Sequence, residues 1–391
     1  MFKDVIKDNI STIFLGILIS LLYVATAFQQ IHMGGSDFIQ HGIVAESMMH
    51  GGTIPPHFLY HLLLICIHKL FHLPFSFAAY TIIFLTVFLT YVIAYKAFEH
   101  NGKTSNKHLL ALAAFFLLIS HPFAFLFPID HNIYFGYIAS NVYHNPTIVV
   151  LKPIALLHFI LLCRLLMGEL NHWLLLRVIT ILAVLTALSI VAKPNYIIAL
   201  LPALFIVLPL RYFFLGEKEL TVLKVVALSI LLPSLVVLFI QFAYFYVAHS
   251  NNSIGIGLFS VYQTSSALWT LFPKLLASLA FPISLILIMG RRLIRQLDFQ
   301  LSVTAYLVAL LYSYSLTDIV GGNSISAGNF WWSAQITQFL LLFVCMRSYL
   351  GELYTKARLP KLVYLPAVIA ALQLIAGILW VMSNLNGNYA W

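Results

Sequence analysis

Charge is what this chain has least of. Only 8% of its 391 residues are Asp, Glu, Lys or Arg, while 62% are hydrophobic, a balance that cannot clothe a water-facing globule. Cysteine is also scarce. The three present, Cys66, Cys163 and Cys345, stand far from any metal-type spacing, which excludes a disulfide scaffold or a zinc cluster. All three fall in apolar segments and read as inert core thiols. No nucleotide-binding signature, low-complexity tract or soluble domain interrupts the sequence, and neither half repeats the other. The net charge of +9 marks no nucleic-acid partner, because its cations are strung along short loops of the kind that face an anionic leaflet.

The composition describes a polytopic membrane protein. Crossing a hydrocarbon core of roughly 30 Å takes an apolar helix of about 20 residues. Such runs occur near residues 10–28, 74–95, 108–127, 146–167, 172–192, 195–213, 222–247, 267–289, 299–315, 331–349 and 363–382. Eleven spans are expected, forming one all-α transmembrane domain over residues 1–391. The first run follows Lys3 and Lys7 without a small-residue cleavage pattern and reads as an anchor.

Residues 57–72 are apolar but short and carry His57, His61, His68, Lys69 and His72. If they crossed, every later loop would change sides. If they lie in the interface, seventeen of the 21 Lys and Arg fall in cytoplasmic loops, as cations are expected to do. The second arrangement is preferred, and it makes four stretches extracytoplasmic: 30–56, 128–145, 248–266 and 316–330. None contains Lys or Arg, yet they hold Asp37, Glu46, Asp130 and Asp318 out of twelve carboxylates. Helix-breaking prolines gather at the same ends, so the outer half is expected to be hollowed and the cytoplasmic half plain.

The first of these stretches reads Gly34-Gly35-Ser36-Asp37-Phe38-Ile39-Gln40-His41 and continues to Pro55-Pro56-His57-Phe58-Leu59-Tyr60. Ser36 is placed to cap a helix, and Asp37 suits its positive first turn. Phe38, Ile39, Ile43, Ala45 and Met49 supply one apolar side, which suits an interfacial helix. Asp37 and His41, four apart, share a face.

In order and topology these residues resemble the GT-C superfamily of membrane glycosyltransferases. In that family an acid in the first extracytoplasmic loop acts in catalysis and is followed by interfacial helices with a Pro-Pro-aromatic segment. Asp37 and Pro55-Pro56-His57-Phe58-Leu59-Tyr60 match those two elements. The chain departs from the commoner pattern in having Ser36-Asp37 where many members carry adjacent acids. The resemblance implies a GT-C-like bundle and inverting transfer from a lipid-phosphate sugar.

The second outer stretch offers Asp130, Tyr137, His144 and Asn145 as substrate-binding candidates, since sugars need aromatic faces and hydrogen-bonding partners. His144-Asn145-Pro146-Thr147 looks like a helix broken and restarted just above a buried cation. That cation, Lys152, is one of three set beside prolines near the outer ends of spans: Lys152-Pro153, Lys193-Pro194 and Pro273-Lys274. A cation inside a span needs an anionic partner or a wet cavity, and a donor phosphate held by all three lysines is the expectation. Snorkelling to headgroups is the alternative for each. In the last stretch Asp318 is a further candidate, and Trp331-Trp332 read as interface anchors.

The expected function is transfer of a sugar from a polyprenyl-phosphate donor to an extracytoplasmic glycan, lipid or protein acceptor, with Asp37 as base and His41 beside it. The expected location is a bacterial cytoplasmic (inner) membrane, with membrane lipids as partners. No cofactor is expected, although Asp37, His41 and Asp130 leave a divalent metal open. A surface-polysaccharide polymerase or ligase would use the same face. A lipid or solute transporter is the alternative of another class, disfavoured by the lack of repeated halves. Fifteen His raise a haem-binding reading that lacks paired positions at matching depth.

Overall fold

The computed structural model describes residues 2–34, 36–99, 106–132, 134–169, 175–215, 220–244, 252–262, 268–320, 323–325, 329–355 and 361–387. The chain is an all-α, polytopic membrane bundle. Seven of its helices are long and apolar enough to cross a bilayer, or eight if one bent pair counts as a span. Large apolar side chains such as Phe213, Leu287 and Phe239 face outward, while Asn141, Lys152, His158 and Gln335 are buried. That distribution suits a lipid surround.

The helices run in chain order from α1 (Phe2–Met33) through α2 (Asp37–Met49), α3 (Leu59–Phe71), α4 (Phe75–Glu99), α5 (Lys107–Ile119) and α6 (Phe127–Asp130) to α7 (Pro146–Leu166). Next come α8 (Leu175–Ala192), α9 (Asn195–Leu215), α10 (Leu220–Val226), α11 (Leu232–Phe242), α12 (Leu271–Ser278) and α13 (Ala280–Met289). The last are α14 (Arg291–Ile294), α15 (Leu297–Ser315), α16 (Trp331–Thr355) and α17 (Tyr364–Leu385). A π turn over Ala227–Leu231 joins α10 to α11 just before Pro233. Proline lacks the N–H that would continue the α ladder, and the turn takes up the misfit.

Two helices differ in extent from their apolar runs. α5 stops at Ile119 although the apolar run continues to 127, because His121 precedes Pro122 and the residue before a proline avoids the α region. At about 1.5 Å per residue, its 13 residues fall short of the hydrocarbon core. The last carbonyls of α5 are met inside the bundle: Tyr23 donates to Leu118 O at 2.9 Å, and Asn141 Nδ2 donates to Leu117 O and Ser120 O at 3.1 and 2.9 Å. Residue 377 must be glycine here, since a Cβ would lie 1.9 Å from Ile119 O. The run at 267–289 is also broken, with α12 and α13 meeting at 52°.

A small antiparallel sheet was not expected from the sequence. β1 (Asn252–Ile256) pairs with β2 (Leu316–Val320), which pairs with β3 (Asn323–Ile325). Its register sets Ile254 opposite Asp318 and Asp318 opposite Ile325. The third and fourth cation-free stretches are therefore stitched together by backbone hydrogen bonds. α3 lies on the bundle with Tyr60, His61 and Leu64 buried. It carries Cys66 on an exposed face, so only Cys163 and Cys345 are core thiols.

Candidate functional site

The break between α8 and α9 places Lys193 where the cation-free stretches meet. Pro194 prevents the helix from running on, and Lys193 Nζ donates to Thr147 Oγ1 at 3.1 Å while lying 5.2 Å from the centre of the Trp332 ring. Thr147 is fixed in turn, because Asn145 caps α7: its Oδ1 accepts from Ile148 N at 3.2 Å and from Thr147 Oγ1 at 2.7 Å. Pro146 occupies the first turn, where a missing N–H costs nothing. The His144-to-Thr147 segment thus restarts the helix as its sequence indicates.

Asp37 and Asp318, far apart in the chain, both act on this ammonium as negative charges. Burial pushes the Lys193 ammonium down to about 8, against the pull of both carboxylates. The carboxyl of Asp37 is raised by burial, and Lys193 offsets part of the rise. Asp318 follows the same pattern, with hydrogen bonds from Asn329 as a further downward pull. Asn329 N donates to Asp318 Oδ2 at 3.2 Å, and Asn195 Nδ2 donates to Asn329 O at 2.6 Å. One backbone residue therefore ties the fourth stretch to the start of α9, two residues from Lys193.

Asp37 opens α2, with Ser36 in the capping position. Ser36 makes no side-chain cap, and its buried hydroxyl has no partner among the described residues. The Asp37 carboxylate, half-buried, likewise makes no hydrogen bond or ion pair among the described residues. A carboxylate held near a cation but bonded to nothing is equipped to take up a proton.

Behind it lies a group of imidazoles. His41 Nδ1 is 2.9 Å from His61 Nε2, and the His57 ring centre is 6.3 Å from that of His41. Burial lowers His41 to about 3 and His61 to about 4, and the neighbouring charges of His61 and Lys193 add to the shift of His41. His57 is held well below its ordinary value for the same reasons. On the other side, His144 packs edge-on against Tyr134 and obliquely on Trp332, and burial with Lys193 keeps it neutral. Among the described residues no group of three or more His, Cys, Asp or Glu converges as metal ligands do.

The three lysines do not share one set of partners. Lys152, inside α7, donates to Asn141 Oδ1 at 2.7 Å and to Tyr23 Oη at 3.5 Å, the same two side chains that cap α5. A helix C-terminus carries partial negative charge, which accounts for a cation at that spot. Lys274 donates to Phe135 O at 2.7 Å and sits 5.2 Å from the centre of the Tyr137 ring. Gly136, at φ +88°, makes room for it, since a Cβ there would meet Lys274 Cδ at 2.9 Å. Lys274 therefore clamps the second outer stretch onto α12.

Of the residues expected to contact substrate, Asp37, His41, His144, Asn145 and Asp318 gather around Lys193. Tyr137 is fully buried, its hydroxyl accepting from Leu126 N at 3.4 Å. The side chain of Asp130 lies outside the described residues. Trp331 is not an interface anchor: it is buried among Tyr134, Phe135 and Tyr262. Thr147 is legible in the sequence only as part of the helix restart, and Tyr134, Asn195 and Asn329 carry no separate signal there. His57 and His61 are four apart, but only His61 lies on α3, with His57 in the turn before it. The half expected to be plain is not: a cavity of about 1070 Å³ opens at the opposite end of the bundle.

No protein-family model matches this chain, and no curated protein matches it.

Proposed function

We propose that this protein is a GT-C-like membrane glycosyltransferase that moves a sugar from a polyprenyl-phosphate donor to an acceptor on the extracytoplasmic side. The observation that carries the reading is the Asp37 carboxylate, half-buried, bonded to nothing among the described residues and under the influence of the Lys193 charge.

The chemistry follows from that pair. An acceptor hydroxyl or amine attacks the anomeric carbon as Asp37 takes its proton. The new bond forms while the bond from that carbon to the phosphate oxygen breaks, and the electron pair leaves with the lipid phosphate. Lys193 answers the charge that gathers on the departing oxygen. The raised carboxyl of Asp37 strengthens it as a base, since proton transfer works best when the pKa approaches the working pH. Asp318 adds a second negative charge that acts on Lys193, and His144 with Trp332 offers ring surface for the sugar. Lys152 and Lys274 act in this scheme by fixing the walls, because their ammonium groups are engaged with Asn141 and with Phe135.

The test is transfer from a radiolabelled polyprenyl-phosphate sugar to membrane acceptors by purified protein. Asp37→Asn should retain donor binding and lose about a hundredfold to ten-thousandfold in transfer. Normal turnover in folded Asp37→Asn would exclude the base assignment.

A further inference from the structure

The cavity at the far end of the bundle lies between the last turns of α4, α7 and α16 and the first turn of α15. From Thr147, which holds Lys193, to Arg164, which lines the cavity, α7 rises roughly 25 Å at about 1.5 Å per residue. This is close to the ~30 Å of a hydrocarbon core, so the cavity opens at the membrane surface opposite Asp37, where the cation-rich loops lie.

Its walls have two characters. Toward the middle of the bundle it is lined by Val92, Ile93, Leu157, Ile160 and Leu161, all half-buried. Toward the end it is charged, and the charges are not equivalent. Arg292 sets two nitrogens 3.0 and 3.2 Å from the oxygens of Glu352, and Arg347 bonds Asp298, with both carboxylates only 4% exposed. These pairs join α14 and α15 to α16 and are satisfied. Lys96 and Glu99, 2.6 Å apart, are 65% and 38% exposed, and such pairs exchange readily with other partners.

Arg164, 31% exposed, is the most weakly engaged of the four cations. Its Nε is shielded from solvent, yet it makes no hydrogen bond among the described residues, and its ion-pair partner, Glu169 Oε2, stands 3.6 Å away. A guanidinium carries five donors in a rigid fork suited to phosphate.

We propose that this cavity binds a phosphate-headed lipid of the adjoining leaflet, its phosphate on Arg164 and Lys96 and its acyl chain along the wall from Val92 to Leu161. Phosphate oxygens supply the hydrogen-bond acceptor that Glu169, at 3.6 Å, does not give Arg164 Nε, and an acyl chain covers apolar wall that the described helices leave half-open. Free phosphate would meet the first need and not the second. The inference is independent of the transfer reaction, since no residue of the Lys193 site takes part.

Thermal midpoints and native mass spectra of the full-length protein in detergent would test it with three probes: dioctanoyl phosphatidic acid, dioctanoylglycerol and inorganic phosphate. Phosphatidic acid should stabilise the protein and remain bound, and the other two should do neither. Arg164→Gln should weaken phosphatidic acid binding by about tenfold, whereas Arg177→Gln, a cation outside the cavity, should leave it unchanged. If Arg164→Gln does not fold, Arg164→Lys takes its place, and the comparison of probes on the unaltered protein stands alone. Equal stabilisation by dioctanoylglycerol or by inorganic phosphate would overturn the assignment. Equal loss in Arg177→Gln would overturn it as well, reducing the effect to general surface charge.

Discussion

Among the described residues Lys193 donates to Thr147 Oγ1, at 3.1 Å, rather than to either of the carboxylates whose charge acts on it. The ammonium is thereby held in place by a neutral hydroxyl while Asp37 and Asp318 act on it as charges alone. An anion that binds Lys193 has to displace no ion pair among the described residues.

The lysines should therefore separate by experiment. Lys193→Met should lower transfer by about 10²–10³, the usual loss when a donor to developing charge is removed. It should also move the acid limb of the pH–rate profile to higher pH, because Asp37 loses the cation that holds its carboxyl down. Lys152→Met and Lys274→Met should reduce the yield of folded protein more than the rate per folded molecule. Three equal losses of rate would restore a single shared phosphate site.

Asp37→Asn should leave thermal stability nearly unchanged. Burial raises this carboxyl, so its ionised form costs the fold free energy at neutral pH, while its place in the first turn of α2 returns about 0.3–1 kcal/mol through the helix dipole. Asparagine removes both effects. A fall in stability of about 2 kcal/mol, as when a true cap is lost, would recast the residue as structural.

Acid should loosen the histidine pair. His41 and His61 are depressed to about 3 and about 4 from an ordinary 6.5, so the folded protein keeps both neutral where the unfolded chain has already taken up protons. Their contribution to stability is complete above about 6.5 and is lost as pH falls toward 4. His61→Gln should flatten the decline in thermal midpoint across that window. A parallel decline in variant and parent would show that the loss arises elsewhere.

Gly136→Ala should destabilise the outer end. A side chain at φ +88° is strained by about 1–3 kcal/mol, and the added carbon would push Lys274 off Phe135 O. Lowered thermal midpoint, with enhanced proteolysis of the second outer stretch, is the expected outcome.

Cysteines introduced singly at Lys103 and Asn252 into a cysteine-free background should be labelled from opposite faces of the membrane. Labelling from the same face would overturn the assignment of the four cation-free stretches to one outer side.

Composition and order along the chain determine the class of this protein and the placement of its helices, because an apolar run of sufficient length in a membrane must close its own backbone hydrogen bonds. Local chemistry also determines the Asn145-Pro146 restart of α7 and the break at Lys193-Pro194. Three of the four stretches depleted of Lys and Arg, 30–56, 128–145 and 316–330, carry groups that interact electrostatically with one lysine, Lys193. What the sequence left undecided involves partners far apart in it. Asn195 meets Asn329 across 134 positions and Tyr23 meets Lys152 across 129, while His41 reaches His61 only because α2 folds back on α3. Buried lysines beside prolines look alike in sequence. Packing gave one of them a helix C-terminus, one a loop carbonyl and one the two acids, because helical period and composition constrain the face a residue occupies but not the helix that arrives opposite.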